Sequence, residues 1–495
     1  MKLSEPSDLV AAERPLSVAL PGRDTAFVHS APLARLVDVI VAAGGRPVAV
    51  GGAVRDHLLG LAAKDVDVEV SGLTLADLER ALEAAGCAVH AVGRSFGVLK
   101  VEVSAGSERE VVDVSLPRTE SKAGRGHKGF VVQSDPHLPF AKAAARRDFT
   151  LNAIGIDLRT GALLDPWGGI KDLERGLLRH VSDAFDEDPL RVLRAAQFAA
   201  RFGLDVDEAT LQRCRSLRAE LRTLPKERVG EEVKKLLVKG IWPSVGLCFL
   251  RQAGVVEELF PELQALVGCE QEQEWHPEGD VWTHTLLVTD EAARLSRARA
   301  VDVDEAFVVV LAALCHDLGK PATTEREGGR IRSRDHEAQG EAPTRSFLDR
   351  LGVAHDVVDA VVALVRDHLK PFQFWRDRQT VQDGAVRRLA LRVPIDRLTL
   401  VASADHFGRT TPEALARDDV ASSWLLERAR SLSVKDAAPQ ALLQGRDLLA
   451  RGLTPGREFG AILKAAFEAQ LDGTFGDKAS ADLWLETHLR ETSKA

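Results

Sequence analysis

The chain has 495 residues and a formal net charge of −9, from 65 Lys plus Arg against 74 Asp plus Glu. About 150 residues per domain makes it long enough for roughly three domains. A hydrophobic fraction of 45% with 28% charged residues excludes disorder throughout. The negative balance argues mildly against a nucleic-acid partner, because phosphate binding needs Lys and Arg. Tyr is absent and Met occurs once, so 18 Phe and 7 Trp supply the aromatic surface.

Residues 1–30 contain Pro and Ser, lack periodicity and read as an N-terminal extension with no apolar signal-peptide core. Residues 31–165 mix strands and helices. PVAV (47–50), VDVEV (66–70), GVLKVEV (97–103) and EVVDVSL (110–116) predict strands. LTLADLERALEAAG predicts a helix ending at Gly86. After Asp165 the strands stop and helical periodicity takes over. Residues 166–270 read as a neck of helices, 271–410 as a second helical domain and 411–495 as a helical tail. The fold class is therefore α+β, an α/β head with a mixed sheet followed by an all-α body. The longest apolar run, Ala306 to Cys315, is short of the 20 or so residues that span a bilayer, and no membrane partner is expected. Cys87, Cys214, Cys248, Cys269 and Cys315 form no CxxC pair, which predicts a reducing, cytoplasmic setting.

Charge is uneven along the chain. Residues 118–147 hold seven Lys or Arg against two acids, and 211–239 hold nine against four. Residues 255–280 hold eight acids and no Lys or Arg. The negative average therefore hides two basic stretches, each with an excess of five positive charges.

The segment VAVGGAVRDHLLGLAAKDVDVEV (48–70) is the first cluster with chemical content. A strand runs into Gly51-Gly52 and a helix follows, a turn that lets backbone approach a phosphate. Arg55 in the first turn predicts a charge-assisted bond to a triphosphate. Asp65 and Asp67 stand at i and i+2 on a predicted strand, which points both to one face. Paired carboxylates on a rigid strand suit divalent cations, and Asp113 in the neighbouring predicted strand is the available third ligand.

GG-x-VRD-x-LLG-xxx-KD-x-D, with Lys64 before the first Asp, resembles the class II nucleotidyltransferases, that is tRNA nucleotidyltransferases (CCA-adding enzymes) and bacterial poly(A) polymerases. The resemblance implies a polymerase-β-type head, Mg2+ on Asp65, Asp67 and Asp113, and CTP, ATP and tRNA as partners. RRDFTLNA (146–153) resembles the family's ribose motif, which implies nucleotide contacts from Arg147 and Asp148. DPWGGIKDLERGLLRHV (165–181) is similar to the hinge between head and neck. EDPLRVLRAAQFAARF (187–202) resembles the base-reading helix, which implies that Asp188, Arg191 and Arg194 face the nucleotide. Asp188 and Arg191 are three apart, so a shared helix face is expected, with an acceptor beside donors for a Watson–Crick edge. Gln197 stands where many relatives carry Arg. RTESKAGRGHKGF (118–130) resembles the flexible loop used in switching from C to A addition.

A second cluster follows: His284 in WHPEGDVWTHTLLVTD, His316-Asp317 and Lys320 in LAALCHDLGKP, His336, His368 and Asp405. Imidazole and carboxylate ligands suit a divalent metal. This set resembles the HD-domain metal-dependent phosphohydrolases, which implies His284, His316, Asp317 and Asp405 as ligands. It further implies His336 and His368 completing a second site, Lys320 on a substrate phosphate, and Mg2+, Mn2+ or Ni2+ as the metal. Head followed by HD domain is similar to the bacterial multifunctional CCA proteins, with phosphatase and 2′,3′-cyclic phosphodiesterase activities for end repair. The motifs leave open a poly(A) polymerase or an A-only enzyme, a hydrolase with a remnant head, and a non-catalytic tRNA-binding factor. They leave open monomer or homodimer as well.

Overall fold

The first described helix, α1 (Ala31–Ala42), starts where Ser30 Oγ accepts the Leu33 amide, with Pro32 in the first turn. Its Leu33, Leu36, Val37 and Ile40 recur at helical spacing and are buried against the central sheet. The computed structural model describes residues 19–23, 26–27, 29–62, 65–93, 98–122, 130–435 and 437–492. Lys64 and most of the N-terminal extension lie outside the described residues, as do 123–129 of the predicted flexible loop. The chain divides into two units, Met1–Phe260 and Pro261–Ala495.

In the first unit, β1 (Arg46–Val50) leads into the short helix α2 (Gly52–Leu58). Then come β2 (Asp67–Ser71), α3 (Leu75–Ala84), β3 (Ala88–Gly93), β4 (Val98–Ala105) and β5 (Glu108–Ser115). A hairpin of β6 (Arg118–Lys122) and β7 (Phe130–Ser134) forms its own two-stranded sheet, so the ends of the expected loop are strands. With β8 (Gly155–Asp157) and β9 (Leu163–Leu164), the main sheet is ordered β3-β4-β5-β2-β1-β8-β9. Within it only β2 and β5 run parallel. The alternation of β2, β4 and β5 buries Val68, Val70, Leu99, Val101, Val103, Val112 and Val114. That apolar set leaves Asp67, Glu69 and Asp113 for the opposite face.

The neck follows as α4 (Leu190–Phe202), packed on α5 (Lys226–Lys239) and α6 (Pro243–Gln252). Strand pairing does not end at Asp165 as expected. Leu177–Leu178 pairs parallel with Asp205–Val206, and Thr324–Glu327 forms a hairpin with Arg330–Ser333. The first pair is two residues long and the second is charged, so neither carries the apolar alternation that marks a strand in sequence.

The second unit begins at Pro261. The cause is local packing. Leu263 and Leu266 are buried, and Glu262 accepts bonds from Ser346 and Arg350 of the helix Glu341–Arg350. The core of the unit is α7 (Val281–Ala298) on α8 (Val303–Cys315), with α9 (His355–Asp367) and α10 (Ile395–Phe407) around them. Helix α8 is buried continuously from Ala306 to Cys315. The stretch Val303–Thr323 is longer than the ten-residue run read from sequence, and by length and composition it could cross a membrane. Its apolar window is 83% buried within the protein, as befits a core helix. The tail is helical as expected, and α11 (Arg457–Leu471) and α12 (Lys478–Thr492) close a small separate core around Leu448, Ile462, Phe475 and Leu485.

Candidate active sites

The head site is built on the β1–α2 turn and the facing strands. Gly51 adopts φ +75°, a conformation costly for any residue with a Cβ. A Cβ there would stand 3.3 Å from Arg147 Nη1 and 3.5 Å from Asp67 Oδ2, so glycine lets the turn lie against both groups. The parallel register of β2 and β5 sets Asp67 directly beside Asp113. Burial, with Asp113 and Asp65 adding like charge, pushes the Asp67 carboxyl above its usual range, and Arg147 opposes the shift. A cation between such carboxylates removes that repulsion, so the donor set fits a divalent ion. One expectation needs correction. Asp65 precedes β2 and is exposed, because the strand ladder begins at Asp67. The two Asp residues are thus a strand residue and its approach, not a pair on one strand.

The candidate nucleotide contacts are more engaged with the protein than their motifs suggest. Arg55 is buried and donates to Asp56 and Asn152, with its guanidinium over the rings of Phe198 and Phe202. It ties α2 to α4 and is not a free arm for a triphosphate. Asp148 and Arg194 were expected as separate contacts, yet they bond each other at 2.7 and 2.6 Å. Asp148 also accepts from the Phe149 amide and Asn152. Asp188 and Arg191 do not share a helix face, because α4 starts only at Leu190, after Pro189. Asp188 is extended and accepts the Leu190 amide, while Arg191 donates to the carbonyls of Ala184 and Arg146. Arg147 lies 3.9 Å from Glu69 Oε2 and donates to the Asn152 carbonyl. Gln197 is buried in α4.

The Asp148–Arg194 pair carries a stability prediction. Arg194→Met leaves a buried carboxylate without its partner and should cost about 3–5 kcal/mol in urea unfolding. Asp148→Asn with Arg194→Met should recover much of that loss. Burial works against ionisation of Asp148, but Arg194 and its hydrogen bonds hold the carboxyl below its usual value. Its contribution is therefore full above a pH of about 4 and is lost as pH falls through the lowered native value. The gap between wild type and Arg194→Met should close in acid, and a gap unchanged in acid would contradict this account.

The second site gathers all six expected ligands. His284 is in the first turn of α7, begun by Asp280 accepting the Thr283 amide. His316 and Asp317 close α8, His368 closes α9, and Asp405 lies near the end of α10. His336 opens the short helix His336–Gln339, and it reaches the others because Gly319 sits under it. A Cβ on Gly319 would stand 2.0 Å from the His336 carbonyl oxygen, so the glycine of HDLGK is required by backbone contact. The ligand atoms form two trios, His284–His316–Asp405 and Asp317–His336–His368, each within 4.8 Å.

The imidazoles are oriented alike. Nδ1 of His316, His336 and His368 bonds the carbonyls of Ala313, Ser333 and Val365, at 2.7, 2.8 and 2.6 Å. This leaves Nε2 toward the carboxylates. His316 Nε2 is 3.1 Å from Asp317 Oδ2, and His336 Nε2 is 3.3 Å from Asp317 Oδ1. Both Nε2 atoms are buried without a hydrogen-bond partner. Burial, reinforced by His316 and His336, lowers the His368 pKa to about 3, so it is neutral near pH 7. Buried Nε2 atoms without a partner, set beside carboxylate oxygens, are satisfied when a cation joins them, so this donor set fits divalent metal.

His276, Glu278 and Arg409 escaped the sequence reading of this site. Glu278 Oε1 is 2.9 Å from His276 Nδ1 and 2.8 Å from His284 Nδ1. Burial opposes it, but these two bonds hold its carboxyl well below the usual range. Glu278 Oε2 accepts the Thr410 amide as well. Arg409 donates to both oxygens of Asp405 at 3.1 Å. The only local signal was HPEGD just before His284 and GR just after Asp405, too short to separate from a polar loop. Lys320 Nζ is 2.7 Å from Asp317 Oδ2 and from Gln271 Oε1.

Fold and sites together define the class: a nucleotidyltransferase head joined through helices to an HD body. Comparison with known families agrees. The poly A polymerase head domain matches residues 48–179, a probable RNA and SrmB-binding site of polymerase A matches 203–266, and the HD domain matches 281–410. A multifunctional CCA protein of Xanthomonas campestris pv. campestris is 38% identical over 426 residues, covering 84% of this chain and 96% of that protein. One of Stenotrophomonas maltophilia is 42% identical over 368 residues, covering 73% and 85%. In fold, the Bacillus stearothermophilus CCA-adding enzyme solved with CTP covers 94% of this chain and 100% of its own, with TM-score 0.61 and 21% identity. The chain belongs to the multifunctional CCA protein family.

Proposed function

We propose that the head adds CMP, CMP and AMP, from CTP and ATP, to the 3′ end of tRNA without a nucleic-acid template. The observation that carries this reading is the register of Asp67 beside Asp113 next to the Gly51 turn. The identity to the multifunctional CCA proteins supports it. Asp65, Asp67 and Asp113 would hold Mg2+, which supplies acidity for the RNA 3′-hydroxyl and charge for the leaving pyrophosphate. The chain's own residues position the partners. Gly51 and Gly52 admit the triphosphate to the turn, and Arg147 lies beside Gly51 to meet its charge. Asp188 and Arg191 flank the start of α4 and would read the base edge, while the Asp148–Arg194 pair ties α4 to the head.

The same proposal assigns the second unit hydrolysis of phosphate esters at RNA 3′ ends, as phosphatase or 2′,3′-cyclic phosphodiesterase. His284, His316, Asp317, His336, His368 and Asp405 would hold Mg2+, Mn2+ or Ni2+, whose chemistry is to activate water as a nucleophile. Glu278 fixes the His284 ring, and Lys320 would take a phosphate oxygen. The same reading places the protein in a reducing cytoplasm, where its five cysteines stay out of disulfides.

The test is incubation of purified protein with tRNA lacking CCA and single labelled nucleotides. CTP alone should add two CMP residues, and AMP from ATP should follow only after them. Incorporation of AMP without prior CMP would overturn CCA addition in favour of an A-adding enzyme.

A further inference from the structure

Arg409 presents an unusual distribution of donors. Its Nη2 bonds both Asp405 oxygens, while its Nε is buried with no hydrogen-bond partner. An unsatisfied donor on a charged group is costly to bury unless something else meets it. The cation also acts on Asp317 and Glu278, so it stands within the field of both ligand trios. Lys320 makes the matching ion pair with the other ligand carboxylate, at Asp317 Oδ2. His276, whose ring centre is 4.5 Å from that of His284, feels both Lys320 and Arg409.

The charge balance gives this arrangement a direction. Each of the two ligand carboxylates carries one cation as its partner. With a divalent ion bound, its charge and those of Lys320 and Arg409 together exceed the charges of Asp317, Asp405 and Glu278. An anion is then required, and a guanidinium fork matches phosphate oxygens better than a point charge does.

We infer that Arg409 is a phosphate-binding residue of the second site, taking a non-bridging oxygen of an RNA-terminal phosphate through its unpartnered Nε, with Lys320 as the second cation. The inference rests on the phosphohydrolase reading above and names the residue that would give it anion selectivity. Inorganic phosphate serves as the probe, titrated calorimetrically into the metal-loaded full-length protein. Arg409→Gln should weaken phosphate binding by about 10-fold or more, and Arg409→Lys should restore part of it. Metal content by mass spectrometry should stay at the wild-type level, and CMP addition by the head should be unchanged as a control for folding. Phosphate binding equal to wild type in Arg409→Gln overturns the inference. Metal loss in that variant also overturns it, because Arg409 then only holds Asp405. Wild type that hydrolyses a 3′-phosphorylated RNA end yet ignores free phosphate overturns this inference alone. Wild type that does neither overturns the phosphohydrolase reading with it.

Discussion

Asp67→Asn should lower CMP incorporation by about three orders of magnitude. Asp67 is the strand carboxylate set beside Asp113 and within reach of Gly51 and Arg147. Its removal takes charge from the cation site where transition-state charge would be met, an effect of several kcal/mol, with each 1.36 kcal/mol worth tenfold. Asn keeps the shape of the side chain and relieves like-charge repulsion, so the fold should be as stable as wild type or more so. Hydrolysis of a phosphorylated RNA end should be untouched, because its candidate residues all belong to the other unit. Single-turnover addition of labelled CMP to tRNA lacking CCA checks both arms. Incorporation within tenfold of wild type would remove Asp67 from the proposed centre.

His316→Ala should act on the other half of the protein. Its Nε2 is buried, unpartnered and aimed at Asp317, and its Nδ1 is fixed by the Ala313 carbonyl. Deleting it should strip metal from the second site and lower metal-dependent hydrolysis about 10³-fold, while CMP addition persists. Glu278→Gln is the milder companion. It keeps the ligand set but weakens the bond that orients His284, and should reduce metal affinity about 10- to 100-fold. Metal analysis after dialysis distinguishes the two. Full metal retention in His316→Ala would mean that the imidazole serves packing alone.

The legibility of these sites in sequence varied with the kind of constraint. The GG turn, the Asp-x-Asp spacing and HDLGK were readable because each packs a conformational demand into a few adjacent residues. Gly51 and Gly319 illustrate this, since Gly51 takes a positive φ that a residue with a Cβ rarely adopts and Gly319 permits a backbone approach that any Cβ would block. Spacing misled where an element began one or two residues from its expected start. Asp65 fell before β2 and Asp188 before α4, so neither lies in the same element as the residue it was paired with. Pairings across long sequence distances were invisible. Arg194 bonds Asp148 from 46 residues away, and Arg55 lies over rings of α4. Glu278 and Arg409 belong to this class, because their roles exist only through His284 and Asp405.

Net charge taught the same lesson at larger scale. The −9 average suggested indifference to nucleic acid, but it sums an acidic stretch at 255–280 with basic ones at 118–147 and 211–239. The basic stretch at 211–239 lies within the region matched by the polymerase RNA-binding domain. Sequence by itself therefore determined the head-then-helices order, the family, and the residue types at both centres, since these depend on local spacing and composition. Tertiary structure alone decided which carboxylates share a register, which arginines are already bonded, and which imidazole nitrogens face the centre. Those outcomes depend on contacts between residues tens to hundreds of positions apart, where no local periodicity carries the information.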